Sequence, residues 1–281
     1  MASTVHPAGD PLAADGRWWR IAGWLYMTIG YLFLVLPIAT MIVFSFQKGQ
    51  FASIPGQGWT LQWYGKLFAD GTLLQALGNS LIVSPLAATG ACVLGFLAAY
   101  AIHRFRFRGR GAFSVLLVLP VLIPPLILGV AFLGLLSRIG LQGQLLSVIL
   151  THIVVVTAPA MAVIQLRLGQ MPTSLEEAAW DLGATQFQTL YKVVLPFALP
   201  GIAGGWLLAF TFSFDEFIIA WFVSGFEQTL PVAVYAYIVG SVDPSLNAVG
   251  SIVFALSVLS LVGVELLLFP LLLSRYRSRA A

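Results

Sequence analysis

Six long apolar runs constrain this chain more than any other feature of it. They cover residues 21–46, 73–102, 112–136, 145–166, 199–223 and 246–273, and the first four contain no Asp, Glu, Lys or Arg. A helix needs about 20 apolar residues to cross the hydrocarbon core of a bilayer. Lipid offers the backbone no hydrogen-bond partner, so such runs must bond internally as helices. Of the 281 residues 59% are hydrophobic and 9% are charged, whereas a soluble domain carries about 25% charged residues. The expected fold is therefore an all-α membrane protein with six transmembrane helices spanning residues 21–273.

Details within the runs refine this. Pro37, Pro85, Pro120, Pro124, Pro125 and Pro159 lie inside spans, where they imply kinks. Gly90 and Gly95 in the second run allow a neighbouring helix to approach closely. The single cysteine, Cys92, has no internal disulfide partner and reads as a small buried apolar side chain. The polar start reads as a disordered cytosolic tail over residues 1–20. The first run is longer than a signal-peptide core of about 7–15 residues and is read as a retained span.

Basic residues set the orientation. With the N-terminus inside, the inner segments hold Arg17, Arg20, Arg104, Arg106, Arg108, Arg110, Arg167, Lys192, Arg275, Arg277 and Arg279; the outer segments hold Lys48, Lys66 and Arg138. That asymmetry places both ends in the cytosol. The block at 103–110 alternates Arg with Phe, and 275–279 repeats the style. Short loops of this kind anchor at a membrane surface and need no nucleic-acid reading. Trp18 and Trp19 fit an interfacial aromatic belt, and the stretch 59–79, with Trp59, Trp63, Tyr64 and Phe68, fits a helix lying in the outer interface.

One polar break between runs looks folded. In 173–196, Thr173 and Ser174 stand three residues before Glu176 and Glu177, the spacing of a capping box. A short helix over about 175–182 is predicted, ended by Gly183 in the left-handed conformation. Thr185 and Gln188 form a second box, opening a helix toward Pro196. Glu177-Ala178-Ala179, Gly183 and Val193-x-Leu195-Pro196 resemble, spacing by spacing, the EAA loop of permease subunits in binding-protein-dependent ABC importers. Val193 in place of Ile is the one departure. A DNA-binding helix-turn-helix is disfavoured, because the second helix offers only Lys192 to phosphates.

The resemblance implies a type I ABC importer permease fold, in a bacterial inner membrane, with a cytosolic coupling loop at 169–198. In it Glu176, Glu177, Ala178, Ala179, Asp181, Gly183, Leu195 and Pro196 would serve ATPase coupling. The acid face Glu176/Glu177/Asp181 would meet basic groups on the ATPase, whose closure would shift spans four and five. It also implies a homologous second permease, two ATPase subunits that hold ATP-Mg, and a periplasmic substrate-binding protein. This chain binds no cofactor and is no enzyme in that reading; it has no Walker A loop, G-x-S-x-G elbow or H-E-x-x-H pair.

Ionisable groups inside spans are functional candidates. His152 reads as a neutral group bonded to a neighbouring helix, and Glu265 as structural. The segment 211–225, with Thr229-Leu230-Pro231 after it, resembles permeases of the spermidine/putrescine-type subgroup, while Trp63-Tyr64 and Asn79-Ser80-Leu81 resemble the wider family of importer permeases. Such relatives carry polyamines, opines or other small nitrogenous solutes. Two roles fit the adjacent acids Asp215 and Glu216. They line a path for a cationic solute together with Trp221, or Ser213 and Glu216 form a capping box where the span breaks and restarts, with Asp215 in the new first turn. An ion-coupled secondary transporter is the rival class; it uses the two acids but leaves the capped loop without a purpose.

Overall fold

A computed structural model describes residues 12–49, 58–69, 71–240 and 245–277. The described chain is helical throughout: α1 (Leu12–Ser45), α2 (Gln62–Ala69), α3 (Gly71–Arg104), α4 (Arg110–Leu122), α5 (Pro125–Arg138), α6 (Leu145–Leu168), α7 (Thr173–Asp181), α8 (Gln186–Thr189), a π turn (Leu190–Val194), α9 (Leu195–Asp215), α10 (Ile218–Val223), α11 (Leu230–Gly240) and α12 (Ser245–Arg277). Among the described residues four helices are long and apolar enough to cross a membrane, or five if the bent pair α4–α5 is one span. The sixth expected span falls within α12, whose Glu265 side chain lies outside the described residues. So do residues 1–11 and 278–281. Helix α1 begins at Leu12, within the stretch 1–20 read as a tail.

The core is a three-helix pack of α3, α6 and α9, centred on Ala88, Ala91, Val156, Ala160, Ile164, Ala198 and Ala209. Small residues let the backbones close up. A Cβ on Gly90 would meet Ile153 Cδ1 at 2.7 Å, and one on Gly95 would meet the Met161 backbone N at 3.1 Å; both glycines face α6, as close approach requires. Also against α6, a Cβ on Gly205 of α9 would stand 2.9 Å from the Ala160 carbonyl oxygen. Cys92 is buried in the same core.

Two expected spans are not single helices. At 123–125, Ile123 (ψ 131°) and Pro124 (ψ 131°) are both extended, because a residue before proline is excluded from the helical region. Two such residues in succession turn the chain by 102° between α4 and α5, far more than a kink. The fifth span instead begins early and ends early. The loop's second helix does not stop at Pro196 but runs through the π turn into α9, giving one continuous helix over Gln186–Asp215. The Leu195 N–H bonds the Leu190 carbonyl, an i→i−5 step next to a proline that has no N–H to donate. The helix then breaks at Glu216 (ψ 121°) and restarts as α10. α11 was not foreseen among the six runs.

One end of the bundle gathers residues 104–110 and 169–198, joined by an Arg104–Glu176 ion pair. The other end is tied by the Trp63 Nε1–H donating to the Gln47 carbonyl at 2.8 Å and the Asn79 amide donating to the Gln228 carbonyl at 2.9 Å. There the Ser80 hydroxyl also accepts the first amide of α11, Leu230 N–H, at 2.8 Å, and Glu227 accepts the first amide of α6, Leu145 N–H, at 2.7 Å. Trp63 and Leu67 bury α2 against Ala248 and Val249 of α12, so α2 is packed into the fold rather than merely laid on an interface.

Overpacking a tight helix contact costs about 1–3 kcal/mol. Gly205→Leu is expected to lower the thermal unfolding temperature of the detergent-solubilised chain, whereas Gly204→Ala, whose Cβ meets only Val163 Cγ1 at 3.4 Å, should leave it nearly unchanged. Equal melting temperatures for the two variants would contradict the close α6–α9 contact.

Candidate functional site

The folded loop at 169–198 is built by local chemistry. Gly183 has φ +80°, a conformation that costs other residues roughly 1–2 kcal/mol. It allows Ala184 N–H to reach the Ala179 carbonyl at 3.0 Å and Gly183 N–H to reach the Trp180 carbonyl at 2.8 Å, the paired bonds of a Schellman end. The Thr185–Gln188 box forms as expected, with Thr185 N–H on Gln188 Oε1 at 2.9 Å and Gln188 N–H on Thr185 Oγ1 at 3.3 Å. The first pair of boxes does not form. α7 starts at Thr173, one or two residues earlier than expected, with Pro172 in the N-cap position and no side-chain cap; Glu176 is engaged by Arg104 instead.

That use corrects the expected acid face. Glu176 is 5% exposed, and its Oε2 sits 2.8 Å from Arg104 Nε. Trp180, one turn on, lies under the Arg104 guanidinium at 4.7 Å. Residues i and i+4 share a helix face, so Glu176 and Trp180 point into the protein while Glu177 and Asp181 point out. The exposed side of the loop then carries Glu177, Ala178, Asp181 and Gly183, with Leu182 89% and Phe187 75% exposed. Leu195 and Pro196 are half-buried at the start of α9. They belong to the helix junction rather than to the outer face. Arg167, at the end of α6, donates from Nε to the Phe197 carbonyl at 3.1 Å and stacks on the Phe197 ring at 4.1 Å, fixing the loop's two stems to each other.

The second cluster surrounds the break at Glu216. The Glu216 carboxylate accepts Ile219 N–H on Oε1 and Ala220 N–H on Oε2, both at 2.9 Å, and so caps α10 itself. The broken-span expectation holds, but with the roles exchanged. Ser213 does not cap; its hydroxyl pairs with His152 Nδ1 at 2.8 Å. Asp215 ends α9 instead of opening α10. His152, 1% exposed, has its Nε2 3.5 Å from Glu216 Oε2, which links α6 to the break as an internally bonded group. Asp215 is exposed and makes no hydrogen bond or ion pair among the described residues. Trp221 packs with Phe217 and Tyr235, with ring centroids 5.9 and 4.9 Å away, and Phe217 and Tyr235 lie 4.7 Å apart.

Arg104, Trp180, Phe217 and Tyr235 were not singled out from sequence. Arg104 was hidden in a block of arginines with an apparent common purpose, and Tyr235 sits on a helix that the apolar runs did not reveal. Among the described residues no His, Cys, Asp and Glu group has the makings of a metal site.

Comparison with known proteins places these features. Residues 91–275 match the family model described as binding-protein-dependent transport system inner membrane component. The putrescine transport system permease protein PotI of Escherichia coli (strain K12) is 37% identical over 84% of this chain and 85% of its own length. The spermidine/putrescine transport system permease protein PotC of the same strain is 35% identical over 86% of this chain and 92% of its own. Among solved structures, a bacterial ABC transporter that imports the acidic polysaccharide alginate has a chain matching with a TM-score of 0.70 at 18% identity, covering 94% of this chain and 99% of that one. The fold is thus that of type I ABC importer permeases, and the ion-coupled secondary transporter is set aside. With its relatives serving as permeases rather than as enzymes, the chain belongs to the family of inner-membrane components of binding-protein-dependent transport systems: it is a permease subunit of an ABC importer.

Proposed function

We propose that this permease imports a small organic polycation of the putrescine or spermidine class, driven by ATPase subunits docked on the outer face of α7. The observation that carries the docking reading is the surface of that loop. Glu177 and Asp181 are carboxylates at i and i+4, a like-charge pair that weakens an isolated helix, and the exposed apolar side chains Leu182 and Phe187 follow them in the same loop. An apolar patch rimmed by unpaired charge is the anatomy of an interface awaiting a partner. A partner with an apolar groove and basic rim satisfies both. The remaining components follow from the family's mode of action: a second homologous permease, two ATPase subunits carrying ATP-Mg, and a periplasmic binding protein. The loop end faces the cytosol, in line with the arginine asymmetry, and both chain ends lie on that side.

A polycationic cargo is supported by the group around the break. Asp215 offers a carboxylate without a partner among the described residues, and the rings of Phe217, Trp221 and Tyr235 cluster with one another just past the same break. Carboxylates and aromatic faces together bind ammonium groups. A charge within a membrane span costs up to about 2.5–3.5 kcal/mol on insertion scales; Glu216 offsets its share through two backbone amides and His152, and Asp215 has no such partner among the described residues. The named cargoes of PotI and PotC are polyamines, the same chemistry.

Two outcomes test these assignments. In the reconstituted complex, Glu177→Lys and Gly183→Asp should insert normally yet lose at least ten-fold in binding-protein-stimulated ATP hydrolysis; full stimulation in both variants would remove the loop from coupling. Asp215→Asn keeps size and removes charge. Uptake of labelled putrescine should fall at least ten-fold while protein level and co-purification with the ATPase hold, and normal uptake would show that Asp215 is no cation site.

A further inference from the structure

We infer that Arg104 is a positioning residue for coupling: it ties α7 to the end of α3, so that a push on the loop reaches a third core helix as well as the two that flank the loop in sequence. The inference rests on the docking reading above and extends it inside the chain.

The covalent chain connects α7 to α6 through residues 169–172 and to α9 through α8. α3 has no such connection; it ends at Arg104, more than sixty residues earlier in the sequence. Among the described residues the Arg104 side chain links it to α7. The guanidinium meets the Glu176 carboxylate at 2.8 Å and covers the Trp180 ring at 4.7 Å. Those two contacts grip successive turns of one face of α7, so the helix cannot slide or roll without moving Arg104.

The setting favours a stiff joint. Arg104 lies in the last turn of α3 and Glu176 in the first turn of α7, where the helix dipoles favour a cation and an anion respectively. The Glu176 side chain is only 7% exposed, against 35% for Arg104, so water competes little for the carboxylate. A planar guanidinium can pair with a carboxylate and stack on an indole at once; an ammonium cannot reproduce both. One turn back on α3, Ile102 and Ala99 are buried in the α3–α6–α9 core with Ile164 and Leu168 of α6. Motion imposed on Arg104 is therefore delivered to tightly packed backbone, not to a frayed end.

The arrangement also divides the acids of the loop by task. Glu177 and Asp181 face outward toward a partner, while Glu176 faces inward toward α3. The two adjacent glutamates stand on opposite sides of one mechanical step.

The test uses the full complex, formed with the second permease, the ATPase and the binding protein encoded with this chain, in a Cys92→Ala background. Leu74→Cys, half-exposed near the far end of α3, reports α3 movement through its rate of reaction with a maleimide, with and without vanadate trapping of the ATPase. In the complex with the Arg104–Glu176 pair intact, trapping should change that rate at least three-fold. Glu176→Gln should cut this trapping-dependent change at least five-fold at equal amounts of trapped nucleotide. Arg104→Lys, which keeps the charge and loses the stacking, should fall between the two. The charge reversal Arg104→Glu with Glu176→Arg should restore at least half of the change, which a defect in folding or assembly would not. Full reporter response in Glu176→Gln and Arg104→Lys overturns the inference. So does a reversal variant that assembles but does not recover, or a reporter that ignores vanadate when the native pair is present. The readout needs no cargo, so failure of putrescine uptake in the same complex counts against the polyamine assignment alone.

Discussion

The architecture depends on one constraint: in hydrocarbon, every backbone amide must find a partner inside the protein. Continuous helices meet it without help, and the interest lies where the helices stop. At 123–125 the two prolines have no N–H to satisfy, so the chain can turn through a large angle at small cost in open donors. At Glu216 the break exposes amides of α10, and a single carboxylate takes two of them. Pro196 poses the same problem on a smaller scale, and the π turn resolves it by moving the hydrogen bond one residue along. Ser80 and Glu227 do likewise for the first amides of α11 and α6 from other parts of the chain.

This constraint explains the division of labour between the neighbouring acids. Glu216 is committed to the backbone and to His152, and so holds the shape of the break. Asp215, one residue earlier, makes no hydrogen bond or ion pair among the described residues. Adjacent positions on a helix point about 100° apart, and the break turns them further apart still. A substrate path and a structural cap can therefore be supplied by consecutive residues, which is why the sequence alone left both roles open for each.

What could be read in advance followed periodicity and local motifs. The uncharged runs identified α1, α3 and α6, and the fifth apolar run most of α9, because length and apolarity suffice for a helix in lipid. Gly183 and the Thr185–Gln188 box were legible because helix ends are governed by residues a few positions apart. The failures have a common physical origin in long-range contacts. The Glu176 capping box was displaced by Arg104, a residue 72 positions away. The Ser213 cap was displaced by His152, 61 positions away. The 102° turn was underestimated since hydropathy counts residues and takes no account of direction. α11 is short and falls between runs, so nothing in its length marked it out.

The unbroken helix from Gln186 to Asp215 has a geometric consequence. Thirty residues at about 1.5 Å each make a rod about 45 Å long, with the loop at one end and Asp215 at the other. A tilt of about 5° about a point near its middle would displace each end by about 2 Å. Because the rod is anchored along its side at Gly201 and Gly205, where α6 lies almost touching, the pivot sits inside the core and both ends must swing in opposite directions. The same stroke that draws the loop one way carries the carboxylate the other.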